Sequence, residues 1–279
     1  MNAPNGSLRK KTSFYYPLLL LPKARRGAME TLYRFCWAAD DISDGPGSLK
    51  KKKRKLRTFR TGLRACLAGK PQDPLFQKLG EVIRDFRLST KPLERILLGV
   101  ERDLKPLRFK TFSELRCYAA QVAGGPGLSS MEIFGFKDAA HRRYAENLGL
   151  FLQIVNIVRD YREDRQMGRQ YLPEEDFRRF GLHSNQPIAP GLAWKRFVDF
   201  QLKRAEGFLV LSQKSLSPRQ RGALPTAEAI AAVYGRLKEK LRAHPDRILA
   251  GKMSLSPWDK LMAVGGAVGR CARWKRFSA

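Results

Sequence analysis

The sequence predicts an all-α fold, and three observations carry that prediction. Apolar residues recur at spacings of three and four, and no stretch of roughly four to eight residues alternates as a half-buried strand does. Cap residues, Gly and Pro also punctuate the chain at helix-length intervals. Across 25–42 the residues Ala28, Leu32, Phe35, Cys36 and Ala39 share one face, and Asp44-Gly45-Pro46-Gly47-Ser48 ends the pattern. The same period marks 55–68, 73–88, 92–105, 112–122, 139–165, 193–216, 227–243 and 257–277. Thr111-x-x-Glu114 reads as a capping box, and Ser217-Pro218 and Ser256-Pro257 pair a cap with proline at the first helical position.

One domain, 1–279, accounts for the chain: it is long enough to bury its own core, and composition does not change across its one long polar interruption, 182–191, which reads as a surface loop. At the N-terminus Arg9-Lys10-Lys11 precede a short apolar run from Phe14 to Leu21. Pro17 interrupts that run and no small-residue cleavage pattern follows, so 1–22 reads as mature protein. Cys36, Cys66, Cys117 and Cys271 lie far apart without a C-x-x-C pair, which argues against a zinc ribbon, a dithiol motif or a disulfide framework and for a reducing, cytoplasmic setting. No apolar run approaches the roughly 18 residues of a spanning helix.

Lys and Arg number 54 against 26 Asp and Glu, a net charge of +28. Anionic partners follow: nucleic acid, an acidic membrane surface or a phosphorylated small molecule. The run 50–55 and the basic C-terminal helix 257–279 add to this charge.

Against that background two acidic clusters stand out. In Asp40-Asp41-Ile42-Ser43-Asp44 the first and last carboxylates are four apart and share one side of a helix. In 153–164, Asn156, Asp160 and Asp164 repeat at intervals of four after Gln153, forming a polar stripe on a helix that is otherwise apolar nearly all round. Like charges at this spacing repel, and burying them unpaired costs several kcal/mol more. A divalent cation removes both objections. Oxygen donors without His or Cys suit Mg²⁺, which shares its coordination with substrate phosphates. Two such walls form a trap for a diphosphate: the ions stabilise its departure, an apolar aromatic pocket shelters the carbocation left behind, and Arg159 offers a cation to the released group. Pairing of the acids with the abundant Lys and Arg is the plainer reading, and matched clusters on two apolar helices weigh against it.

The chain resembles the squalene/phytoene synthase family of head-to-head prenyl diphosphate synthases. The likeness rests on Ser13-Phe14-Tyr15-Tyr16 with Leu21-Pro22, Tyr33 through Asp44, Tyr118 through Gly135, and Gln153 through Gly181, and weaker similarity extends it over nearly the whole chain. The resemblance implies a helical bundle around a central apolar cavity. It assigns metal binding to Asp40, Asp44, Asn156, Asp160 and Asp164. Diphosphate contact falls to Tyr33 and Arg159, a flap over the site to Ser13 and Phe14 within 1–22, and pocket positions to Tyr118, Gln153 and Tyr171. Tyr118 sits where a proton-transfer or cation-stabilising role is assigned.

The Phe14-Tyr15-Tyr16 start and Glu132-Ile133-Phe134-Gly135 look most like the branch that joins two farnesyl diphosphates into presqualene diphosphate, for hopanoid or carotenoid synthesis. Squalene, dehydrosqualene or phytoene are the alternative products, and NADPH enters only with squalene. Three departures stand out: Trp37 replaces an arginine usual in the family, Pro126 predicts a helix kink beside the pocket, and Ala119 and Ala120 replace bulkier residues. The rival class is a non-catalytic basic helical protein that binds acidic lipid or nucleic acid. The enzyme reading expects no nucleic acid partner. It expects instead peripheral contact with the inner face of an acidic membrane, through the tail 270–277 with Trp274 and Phe277.

Overall fold

A computed structural model describes residues 14–276, and the described residues form fifteen helices and no strand. In chain order these are α1 Tyr15–Leu18, α2 Lys23–Asp44, α3 Leu49–Leu67, α4 Pro74–Phe86, α5 Thr90–Asp103, α6 Phe112–Val122, α7 Gly124–Phe134 and α8 Ala139–Arg159. They continue with α9 Tyr161–Gln166, α10 Glu174–Arg179, α11 Leu192–Lys214, α12 Pro218–Gly222, α13 Pro225–Ala243, α14 Pro245–Ala250 and α15 Pro257–Arg276.

Apolar faces at helical spacing bring these elements together. Met29, Leu32, Phe35 and Ala39 turn α2 inward against α4, α5 and α7. α8 is buried along both sides by Leu148, Leu150, Phe151, Ile154, Val155, Ile157 and Val158, and packs on α6, α7, α11 and α13. It is the central helix of the bundle, as an apolar circumference requires. Glycines set the closest approaches: a Cβ on Gly149 would lie 3.1 Å from Ala123 O, and one on Gly125 only 2.5 Å from Pro92 O.

The caps are local chemistry. Asp73 accepts from the Leu75 N–H ahead of α4, and Asp138 accepts from the Ala140 and His141 N–H groups ahead of α8. Ser217 with Gln220, and Ser256 with Asp259, close reciprocal boxes. At Thr111 only half of the expected box forms: its hydroxyl accepts from Glu114 N–H, while the Glu114 carboxylate turns to the N–H of Lys110.

One expectation needs correction. The helix predicted over 139–165 breaks at Asp160, whose φ of −94° and ψ of 12° leave helical values, so Asp164 belongs to α9 rather than α8. Backbone bonds from Asp160 N to Asn156 O and from Asp164 N to Asp160 O keep the stripe in register across the break. Near Pro126 the helical path is interrupted at Ala123, which ends α6 and starts α7: Ala123 N–H still bonds Ala119 O and Gly127 N–H bonds Ala123 O, while proline has no N–H to give Val122 O. Residues 182–191 are non-helical. The short helices α1, α10, α12 and α14 carry too few periods to be read from spacing, and α7 opens on Gly124-Gly125-Pro126-Gly127, which reads as a break rather than as a helix start.

Candidate active site

Asp40 and Asp44 stand at the C-terminal end of α2, Asp160 at the α8–α9 junction and Asp164 one turn on. Arg169, in the turn after α9, links them: its guanidinium donates to Asp44 Oδ1 at 2.7 Å and to the backbone O of Asp103 at 3.4 Å, and its own N–H donates to Asp164 O at 2.8 Å. The segment is held there by Gln170 N–H on Leu107 O and Glu174 N–H on Phe109 O, which tie the α9–α10 turn to the α5–α6 connection.

The acids share one electrostatic field. Burial raises the Asp164 carboxyl to about 7, the charge of Asp160 adds to the rise, and Asp44 and Asp103 add further. Burial likewise raises Asp40 to about 7, with Asp44, Asp103 and Asp41 adding and Arg169 opposing. Asp40 is nevertheless reached by solvent. Asp164 feels the charges of Asp44 and Asp103, and both Asp40 and Asp164 feel Arg169, so the acids of α2 and of the α8–α9 junction share one neighbourhood.

Asp160 differs. Its burial disfavours the charge, but hydrogen bonds and charge from Arg159, with Lys252, outweigh this and hold its pKa below the ordinary value. Arg159 Nε donates to Asp160 Oδ1 at 2.8 Å and Lys252 Nζ lies 3.0 Å from the same oxygen. The chain around Lys252 is fastened to α9 by its N–H on Glu163 Oε1 at 2.8 Å and by Arg162 on Ala250 O.

Beside the acids lies an aromatic and phenolic wall. Tyr118 is fully buried, and its hydroxyl donates to Asp103 Oδ1 at 2.7 Å; the Tyr171 hydroxyl reaches the same oxygen at 3.4 Å. Burial, first, and Asp103, second, push the Tyr118 phenol far above its ordinary pKa, so it stays protonated. Asp103 itself is raised to about 6 by burial, with the Tyr118 bond and Arg169 opposing. Tyr234 of α13, Phe14, Tyr33 and Trp37 stack in sequence, with centroids 5.6, 5.3 and 6.4 Å apart. Tyr234 also faces Asn156 and Arg159. Trp37 thus extends this aromatic run where the resemblance implies an arginine.

Of the residues expected from the sequence, Asp40, Asp44, Asp160, Asp164, Arg159 and Asn156 come together through these contacts, as do Phe14, Tyr33, Tyr118 and Tyr171. Gln153 is half-buried on α8 one turn before Asn156. Ser13 lies outside the described residues.

The donors fit a hard divalent cation. All are oxygens, Asn156 Oδ1 is buried without a hydrogen-bond partner, and at Asp40 and Asp164 burial and neighbouring acids outweigh the opposing charge of Arg169. Among the described residues no three acid, thiol or imidazole groups converge closely enough to hold a cation unaided. Asp44 and Asp160 are meanwhile paired with Arg and Lys, as the plainer reading of the clusters requires of those two. Substrate oxygens are the natural remaining ligands.

The profile of the squalene/phytoene synthase family matches residues 8–259. The chain belongs to the squalene/phytoene synthase family. It is 32% identical over 247 residues to presqualene diphosphate synthase of Zymomonas mobilis subsp. mobilis, covering 84% of this chain and 81% of that one. It is 31% identical over 267 residues to the chloroplastic phytoene synthase of an Oncidium hybrid cultivar, covering 92% of this chain and 65% of that protein's length. A solved dehydrosqualene synthase in complex with a ligand superposes with a TM-score of 0.81 at 26% identity, over 95% of this chain and 94% of that one. Squalene synthase HpnC from Alicyclobacillus acidocaldarius shares the fold, with a TM-score of 0.69 at 23% identity over 87% of this chain and 88% of that one.

In this member of the squalene/phytoene synthase family, Asp103, Lys252 and Tyr234 contact the candidate site residues and were missed by sequence reasoning, and Arg169 was seen only as part of a motif. Asp103 has no acid three or four residues away to mark it, and Lys252 and Tyr234 reach the site only through tertiary packing.

Proposed function

We propose that the protein is a Mg²⁺-dependent prenyltransferase that joins two farnesyl diphosphates head to head into presqualene diphosphate, releasing one diphosphate and one proton. The observation that carries this reading is the shared field of the acids from α2 and from the α8–α9 junction around Arg169. Asp40, Asp44, Asn156, Asp160 and Asp164 would hold the cation, which when bound supplies positive charge to the departing diphosphate. Arg159, Arg169 and Lys252 neutralise the acids between turnovers and bind diphosphate oxygens when these enter. The stacked rings of Phe14, Tyr33, Trp37 and Tyr234 offer apolar, electron-rich faces to the prenyl chains and exclude water. Tyr118 keeps its proton, held at Asp103 Oδ1, so the phenol oxygen presents lone pairs rather than a hydrogen to the developing cation. The same reading places the protein against an acidic membrane that holds its apolar product.

The test is incubation with farnesyl diphosphate, with and without Mg²⁺ and with and without NADPH, read by diphosphate release and product mass. A C30 cyclopropyl diphosphate formed only with Mg²⁺, and unchanged by NADPH, is the expected result. Turnover of geranylgeranyl but not farnesyl diphosphate would favour the phytoene reading that the Oncidium likeness supports. Asp160→Asn should lower the rate by about 10²-fold or more while leaving the helical content intact.

A further inference from the structure

The outward side of α15 has the wrong chemistry for water. A surface helix ordinarily turns apolar residues inward and charged residues outward. Here Ala263, Val264, Ala267 and Cys271 face the core, yet Trp258, Leu261, Met262, Gly265, Val268, Gly269 and Ala272 line the opposite side at spacings of three and four. Trp258 is 67% exposed, Leu261 48% and Met262 47%. Cations flank this stripe: Arg270, Arg273 and Lys275 lie along its borders. The acid of the helix, Asp259, is engaged by its own cap Ser256 and by Arg236 at 3.9 Å. In the tail 270–277, Trp274 is half-buried with the Arg221 guanidinium over its ring at 4.5 Å, and Phe277 falls outside the described residues.

We propose that this face of α15 docks flat on an anionic lipid bilayer, with Trp258, Leu261 and Met262 inserted at the headgroup boundary and the flanking cations on lipid phosphates. Charge selects this occupant. The chain has a net charge of +28 and Arg270, Arg273 and Lys275 border the stripe, so an anionic surface neutralises them while the exposed Trp258, Leu261 and Met262 suit the apolar layer beneath its headgroups. Among the described residues no helix is long and apolar enough to cross a membrane, which leaves α15 lying along the surface. α15 also packs on α1, and Phe14 just before α1 stacks on Tyr33 and Tyr234, so the helix that docks lies one element away from the ring stack. Docking deepens the prenyltransferase reading by bringing that stack near lipid, but the surface stands or falls by itself.

The experiment is co-sedimentation of the full chain with phosphatidylcholine vesicles, with and without phosphatidylglycerol, in parallel with Mg²⁺-dependent diphosphate release in detergent. Wild type should bind the anionic vesicles at least about tenfold more tightly than the neutral ones, and added salt should weaken that binding. Trp258→Ser/Leu261→Ser/Met262→Ser should lose about tenfold or more of the anionic-vesicle affinity while its helical content and diphosphate release in detergent stay unchanged. Trp258→Phe should keep binding but lose the quenching of tryptophan fluorescence by brominated lipid. Equal binding by the triple variant, or by neutral and anionic vesicles, overturns the proposal. So does a wild-type dimer that the triple variant dissolves, since the face would then serve a second copy. Vesicle binding without diphosphate release would overturn the enzyme reading and leave the docking surface standing.

Discussion

Asp103 shows how much chemistry one unremarked carboxylate carries. It receives the Tyr118 and Tyr171 hydroxyls on one oxygen and sits beneath Arg169, so it fixes which way the Tyr118 O–H points. Asp103→Ala frees that rotor and should lower kcat by about 10²-fold with little change in KM. Asp103→Asn still accepts from Tyr118 and should recover part of the loss; equal rates for both variants and wild type would remove Asp103 from the mechanism. Asp40 and Asp164 make a second prediction. With folded values near 7, above the ordinary carboxylate range, each contributes stability that is complete below that range and lost as pH rises through about 7. Cation-free protein should therefore lose melting temperature between about pH 4 and about pH 7 and level off above that, and Asp40→Asn should flatten part of that slope and melt a few degrees higher at the upper pH. An identical slope in the variant would mean that the neighbouring acids do not strain Asp40. These aspartates were legible because i, i+4 repeats of like charge on apolar helices are conspicuous. Asp103 was not, because its meaning comes wholly from Tyr118, Tyr171 and Arg169, which only the fold brings to it.

At the level of elements, α2 and α8 were legible from periodicity, and their packing needs small residues at set points. Gly125 and Gly124 are adjacent on α7, yet their surroundings differ. A Cβ at Gly125 would press on Pro92 O and Ile96 of α5, whereas one at Gly124 meets nothing within 4 Å. Gly125→Ala should destabilise by about 1–3 kcal/mol in urea unfolding, and Gly124→Ala should be neutral or slightly stabilising, since it removes chain entropy without a clash. The reverse order would contradict the α5–α7 approach. The break at Asp160 lay beyond spacing arguments because Asn156, Asp160 and Asp164 keep the same interval on either side of it. Likewise Glu132, part of the motif that carried the resemblance, is a structural clasp: its two oxygens accept from Ser89 N–H and Ser89 Oγ at 2.6 Å each, pinning the start of α5 to the core.

Over the whole molecule, the large positive charge resolves into separate uses. Arg204 is bidentate on buried Asp176, Arg221 on buried Glu228, and Arg159, Arg169 and Lys252 pair with Asp160 and Asp44 of the candidate site. Composition announced an anionic partner without saying which cations serve folding and which serve binding; tertiary pairing decides that. The central claim is that acids from α2 and from the α8–α9 junction act as one device on a cation-bridged diphosphate. A double-mutant cycle tests it most directly, with Mg²⁺-dependent diphosphate release from farnesyl diphosphate measured for wild type, Asp44→Asn, Asp164→Asn and the double variant. Each single change should cost about 10²-fold or more, and the double variant should be hardly slower than either single one, because either loss dismantles the same assembly. Losses that multiply, or a single variant that keeps wild-type turnover, would show two walls working independently and contradict the account.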